Sequence, residues 1–147
     1  MTRVHRRIAA PRERVYAALV DAEAVARWRF PRGMECVVHE WDARPGGRLR
    51  VSLTYTGVGR GKTTARTDTY RGRFVELVPD ERVVEVDEFE TDDAAFQGEM
   101  RMAIVLADDA GATTLEAEHT GLPAGVRAED NAAGWNEALA RLAALVE

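Results

Sequence analysis

The sequence predicts an α+β domain in which one antiparallel sheet is covered on a single face by helices. Three observations carry that prediction. Between Met34 and Thr120, short apolar alternations are separated by turn residues. Pro11 and Asp21 mark two helix starts directly behind a first short strand. From Leu122 onward, an apolar stripe at three-to-four spacing runs to the end.

Taken in order, Thr2–Ile8 reads as a strand with Val4 and Ile8 on one face. Ala9-Ala10-Pro11 breaks it, and Pro11 suits the first helical position, where its missing N–H costs nothing. Val15, Tyr16 and Leu19 make an apolar stripe over residues 11–20. Asp21 is the expected N-cap of a second helix, Ala22–Trp28, which Pro31 and Gly33 end. Met34–Trp41 is apolar enough for a buried strand. Asp42-Ala43-Arg44-Pro45-Gly46-Gly47 reads as a turn with its glycines at positive φ. Leu49, Val51, Leu53 and Tyr55 then alternate with the period of a strand that has one wet face. Residues 56–67 read as a polar, Gly-rich hairpin loop.

Tyr70, Gly72 and Phe74 share a face opposite Arg71 and Arg73. Pro79-Asp80 turns the chain into Arg82–Phe89. Met100, Met102, Ile104 and Leu106 alternate cleanly, Asp108-Asp109-Ala110-Gly111 is a turn, and Leu115, Ala117 and His119 share an inward face. In the last segment the stripe is Asn131, Trp135, Ala138/Leu139, Leu142 and Leu145/Val146. About 20 helical residues at 1.5 Å rise span roughly 30 Å, enough to cross a sheet.

The chain has 147 residues, a length that fits one domain over 1–147 with a core needing no metal or disulfide. Twenty basic against 25 acidic residues give a net charge of −5, which argues against nucleic acid or an anionic membrane as general partners. Cys36 is alone, so neither a disulfide nor a cysteine metal cluster forms within the chain. No apolar run approaches the roughly 20 residues of a membrane-spanning helix. The start, Met1 to Ile8, lacks the apolar stretch of a signal peptide, so a cytoplasmic location is expected. All basic residues but Lys62 are Arg, a bias that reads as coding composition and gives no single Arg functional weight.

Several motifs together resemble a known family. Ile8-x-Ala10-Pro11-x-Glu13-x-Val15-Tyr16-x-Ala18-Leu19 is similar to the opening of the SRPBCC (START-like, birch-pollen-allergen-like) superfamily. So are Trp28-x-x-Pro31-x-Gly33, Asp42-x-Arg44-Pro45-Gly46-Gly47, Val78-Pro79-x-Glu81-Arg82-Val83-Val84, and Gly134-Trp135-x-x-x-Leu139-x-x-Leu142. Their order resembles the branch called activator of heat-shock-protein-90 ATPase homologue-like, over essentially the whole chain. The resemblance implies a helix-grip fold: a curved antiparallel sheet of six to seven strands around a long C-terminal helix, with two short helices after strand 1. It also implies an apolar cavity between sheet and helix. The chain departs from the pattern in a more cationic loop at residues 56–66 and an acidic insertion at residues 90–98.

The chemistry-bearing residues sort as follows. The run from Gly57 to Thr63 suggests a phosphate loop but has Thr56 where the first Gly is needed, and a strand follows where a helix should. Glu85, Asp87, Glu88, Glu90, Asp92 and Asp93 lack calcium-loop spacing and read as a solvated hairpin whose charges face Arg71 and Arg73. His5, His39 and His119 share no metal-ligand spacing, so no metal and no cofactor is expected. Ser52 lies opposite the Leu49/Val51/Leu53 face without a nucleophile elbow, and Cys36 reads as an inert apolar thiol. The expected cavity lining is Tyr70, Met100, Met102, His119, Asn131 and Trp135, an aromatic and Met set with few polar groups. His119 would project a titratable ring inward, and no catalytic constellation is readable.

The leading expectation is a binding domain for a small apolar molecule, with Tyr70, His119 or Asn131 orienting it. The alternatives are an enzyme of aromatase/cyclase type on the same fold, a chaperone-associated protein implied by the family name alone, and a homodimer paired through a sheet edge.

Overall fold

A computed structural model describes residues 1–57 and 61–147. Its elements run β1 (Thr2–Ile8), α1 (Arg12–Val20), α2 (Ala22–Trp28), β2 (Met34–Trp41), β3 (Arg48–Tyr55), β4 (Thr67–Val78), β5 (Arg82–Phe89), β6 (Met100–Asp109), β7 (Ala112–Thr120) and α3 (Ala128–Val146). The seven strands form one antiparallel sheet in the order β1-β7-β6-β5-β4-β3-β2. Strands β2 to β7 are therefore a meander, and β1 closes the far edge beside β7. The sheet curls into a half-barrel around α3, with α1 and α2 at one end: the helix-grip arrangement.

Curvature has local causes. Register shifts between Val38 and Glu40 and between Phe74 and Glu76 each place an extra residue on one strand, and such bulges bend it. The twelve-residue β4 spans the curve, so Tyr70 and Phe74 face inward while Val75, at the bulge, turns outward. The T-shaped contact of Trp41 with Phe74, centroids 5.1 Å apart, locks β2 against β4 across the concave face. The indoles also tie helices to one another and to the sheet. Trp28 Nε1 donates to the Ala18 carbonyl at 2.9 Å, and Trp41 Nε1 to that of Val20 at 3.1 Å.

The two ends of α3 are packed differently. Ala138, Leu139, Leu142, Ala143 and Val146 are buried in a core with Ile8, Val15, Leu19, Ile104 and Leu115. Asn131 and Trp135, in its first half, are only partly buried.

Several local expectations change. Strand β2 is an edge strand with a wet face: Val37 is 53% exposed, because no neighbouring strand or helix covers that side. Pro11 caps α1 from an extended conformation and does not enter the helix. Asp108 and Asp109 stay in β6, and the turn contracts to Ala110 and Gly111, both at positive φ, the hand that matches strand twist. Leu145 is exposed, and Ala143 takes its place in the core. The hairpin loop and its phosphate-loop-like run fall partly on residues 58–60, which lie outside the described residues. The described part is folded: Thr63 Oγ1 accepts from the Thr69 N–H at 2.8 Å, and Gly61 N–H donates to Ala65.

Gly72 shows how tightly β4 and β5 meet. It sits opposite Asp87 in register, and a Cβ there would collide with the Val86 carbonyl oxygen and with Asp87 Oδ1. The backbone carbonyl cannot move without breaking the ladder. Gly72→Ala is therefore expected to cost about 1–3 kcal/mol in urea unfolding, the range of an overpacked core. An unchanged midpoint would contradict this register.

Candidate functional site

Between the first half of α3 and the sheet lies a hollow of about 410 Å³, within the usual 300–1,000 Å³ of small-molecule sites. The second half of α3 is seated in the core, while the first half meets β1 and β7 through Asn131 and Trp135 and leaves this space beside them. The sheet contributes Leu53, Tyr55, Tyr70, Asp87, Phe89, Met100, Met102 and His119 to the walls. The helix contributes Asn131, Gly134, Trp135 and Ala138, and the segment after α2 contributes Arg29 to Arg32 and Met34. All six residues expected from sequence, Tyr70, Met100, Met102, His119, Asn131 and Trp135, border this space.

Its floor is charged, which the sequence reading missed. Arg29 is 7% exposed and holds Glu85 in two parallel hydrogen bonds, Nη1 to Oε1 at 2.7 Å and Nη2 to Oε2 at 2.8 Å. Its Nη2 lies 3.9 Å from Asp87 Oδ2. Three aromatic rings surround the guanidinium, those of Trp41, Tyr70 and Trp135, with centroids 5.5, 5.6 and 5.4 Å away. Such rings favour a cation stripped of water.

These contacts overturn two expectations. Glu85 and Asp87 do not belong to a solvated hairpin: they are 1% and 5% exposed and point into the concave side. The outer members of the run do behave as expected, since Glu88 pairs with Arg71 at 3.2 Å, while Arg73 reaches Glu99 instead. Nor is Arg29 interchangeable with the other arginines. A signal for the carboxylates was present, because Glu85 and Asp87 share strand parity with Val83 and Phe89. Val84 and Val86 on the other parity masked it. Nothing in the sequence around Arg29 marked its role.

Electrostatics divides the two carboxyls. Burial opposes ionisation of Glu85, but the Arg29 guanidinium outweighs it and lowers the Glu85 pKa. Burial and the neighbouring Glu85 charge push Asp87 well above the ordinary carboxylate range. The guanidinium and the Glu85 carboxylate offset each other, and Asp87 is displaced toward its neutral form. Burial likewise drives the Tyr70 phenol far up, so it stays neutral.

His119 anchors the other wall. Its Nδ1 accepts from Trp135 Nε1 at 3.3 Å and from Asn131 Nδ2 at 3.0 Å, and Asn131 Nδ2 also donates to Thr2 Oγ1 at 2.9 Å. Burial and the Arg29 charge lower its pKa to about 4, so the ring is neutral near pH 7.

At the mouth, Lys62 Nζ binds Asp68 Oδ2 at 2.8 Å and lies over Phe89 and Phe96, at 5.2 and 5.6 Å from their centroids. A short 3₁₀ turn, Ala94–Phe96, in the acidic insertion meets the segment before α3 through Gly125 N–H to Ala95 at 2.7 Å. Among the described residues, no group of three His, Cys, Asp or Glu is placed to hold a metal. Ser52 and His39 bond each other at 2.8 Å on the opposite face from Val51, away from the hollow. Burial raises the Cys36 thiol to about 11, which leaves it protonated.

The model of the family described as Activator of Hsp90 ATPase homolog 1-like protein matches residues 9–147. No curated protein matches the chain. Among solved structures, a Chromobacterium violaceum protein is 38% identical, with TM-score 0.88, covering 99% of this chain and 95% of its own. An AHSA1 protein from Silicibacter pomeroyi is 21% identical, with TM-score 0.79 and coverages of 97% and 94%. DynU16, from the dynemicin biosynthetic locus, is 23% identical with TM-score 0.66, covering 97% of this chain and 45% of that one.

Two outcomes are expected of the charged floor. Arg29→Met strands the two carboxyls and lowers stability by about 3–5 kcal/mol, while adding Glu85→Leu restores at least half of it in urea melts. A single variant as stable as the parent would contradict the pairing. For His119, the folded pKa of about 4 lies below the ordinary 6.5, so the unfolded chain takes up its proton first as pH falls. The stability this ring confers over His119→Gln is complete above pH 6.5. It shrinks by about 3 kcal/mol as pH falls towards 4. NMR titration with a midpoint at 6 or above would contradict it.

Proposed function

The chain belongs to the Activator of Hsp90 ATPase homolog 1-like family, and from that premise we propose that it is a binding domain for a small, largely apolar molecule held between sheet and terminal helix. The observation that carries this reading is the half-seated α3. A hollow of about 410 Å³ bordered by Leu53, Met100, Met102 and aromatic rings stands where a packed core would be cheaper. Burying a ligand's apolar surface supplies about 25 cal/mol per Å². The two methionines form a wall that adapts to ligand shape. The Arg29 and Glu85 charges in the floor are paired with each other, so an uncharged guest suits it.

A second reading, an enzyme of aromatase/cyclase type on the same fold, gains one specific support: Asp87 is a buried carboxyl lining the hollow whose pKa is raised by burial and by Glu85, and such groups serve as general acids. DynU16 comes from a biosynthetic locus, but an identity of 23% carries the fold alone. On the enzyme reading, Asp87→Asn abolishes turnover of a reactive chain bound in the pocket. On the binding reading there is no turnover to lose. The chaperone-associated reading draws on the family name and on no residue of this site. A homodimer through β1 or β2 is addressed by light scattering.

The test of the binding reading is direct. A panel of uncharged aromatic compounds should raise the Tm of the parent protein, and native mass spectrometry should show one bound copy. Leu53→Trp, at a half-buried lining position, fills the hollow. It is expected to reduce affinity at least tenfold while its own Tm stays within a few degrees of the parent. Equal binding by Leu53→Trp would remove the hollow from the account.

A further inference from the structure

Trp135 decides which tautomer His119 adopts. An indole nitrogen only donates, so Nδ1 of His119, 3.3 Å away, is the acceptor and the ring proton sits on Nε2. Asn131 reinforces the choice, because its amide nitrogen, 3.0 Å from the same Nδ1, donates as well. The remaining group, Nε2–H, is buried and has no partner. A buried donor left without an acceptor is costly, and native proteins carry few of them. This one belongs to a ring in the wall of an empty space, so a guest is the natural source of the missing acceptor.

We infer that the molecule held in the hollow is uncharged and presents a carbonyl oxygen to Nε2–H of His119. The inference rests on reading the hollow as a binding site and adds the chemistry of what binds there. Three other head groups fit less well. A carboxylate beside His119 would be repelled by the charge of Glu85, which lies beneath the lining in the same cross-strand row as His119 through their common neighbour Met102. Arg29 cannot offset that charge, because both ends of its guanidinium are engaged by Glu85. An ammonium group has only donors and would oppose Nε2–H. A hydrocarbon leaves the donor bare.

A ketone, ester or amide oxygen accepts a hydrogen bond without bringing charge. It reaches Nε2 when Met102, directly across from His119 in register, shifts its unbranched side chain. His119 is thereby the residue that selects the head group, and the Met and aromatic walls take the apolar body.

The experiment uses the full chain and four probes of one skeleton: 2-acetylnaphthalene, 2-ethylnaphthalene, 2-naphthoate and 2-naphthylmethylamine. Affinities come from calorimetry for the parent, His119→Phe and His119→Gln. The parent should bind the ketone about tenfold or more tightly than each of the others. His119→Phe, which keeps a ring but no donor, should lose that preference and still bind the hydrocarbon. His119→Gln, whose amide N–H reaches the Nε2 position, should keep most of it.

If all four bind the parent alike, if naphthoate binds best, or if the preference survives in His119→Phe, the inference is wrong while the binding reading stands. If none of the four binds, the binding reading fails and takes this one with it. Should His119→Phe not fold, ¹⁵N NMR of the parent decides. The Nε2 resonance must be that of a protonated nitrogen and must move with acetylnaphthalene but not with ethylnaphthalene.

Discussion

A guanidinium buried with two carboxyls and ringed by three aromatic side chains is the constraint around which this molecule is arranged. Taking Arg29 and Glu85 out of water costs several kcal/mol per ion, and only good geometry recovers it. The recovery here needs the two parallel bonds at 2.7 and 2.8 Å and the rings of Trp41, Tyr70 and Trp135, and it pushes the neighbouring Asp87 toward its neutral form. Those partners come from β2, β4, β5 and α3, so the cluster holds the curve of the sheet and the placement of the helix to one arrangement. The short segment leaving α2 must in turn stay close enough for Arg29 to reach the floor.

That arrangement explains why α3 is asymmetric. Its second half presents Leu139, Leu142, Ala143 and Val146 to a dry core with β1 residues and α1. Its first half presents Asn131, Gly134 and Trp135 to a space whose far side is polar. From that half Trp135 reaches the Arg29 guanidinium, its ring centroid 5.4 Å away. The hollow therefore borders the buried charge cluster, with Arg29 and Asp87 in its lining.

The polar groups around the space are arranged by sign as well as by position. In the floor the Arg29 and Glu85 charges are paired, Asp87 is pushed toward its protonated form, and His119 is uncharged near pH 7. Lys62, at the edge of the lining, is paired with Asp68. The space thus has a salt-bridged edge beside Phe89 and an interior with a few oriented dipoles. Such an interior discriminates by hydrogen-bonding pattern more than by charge, since each unpaired buried group is penalised at full strength.

Much of the scaffold was legible from sequence because it depends on periodicity and turn chemistry, which are local. The alternation of Leu49, Val51 and Leu53, the cap at Asp21, and the stripe from Asn131 to Leu142 each assign an element and its inward face without knowledge of any partner. The same reasoning brought Tyr70, Met100, Met102, His119, Asn131 and Trp135 to one side of the sheet. What it could not reach was pairing between distant elements. Glu85 and Asp87 read as surface charge because carboxylates are almost never fully buried without a partner, and their partner is 56 residues away in sequence from Glu85. Arg29 carried no local sign of its role for the same reason. Which proton sits where, on Asp87 or on His119 Nε2, follows only from the contacts that tertiary structure brings together, because a buried charge is decided by its neighbours and not by its own side chain.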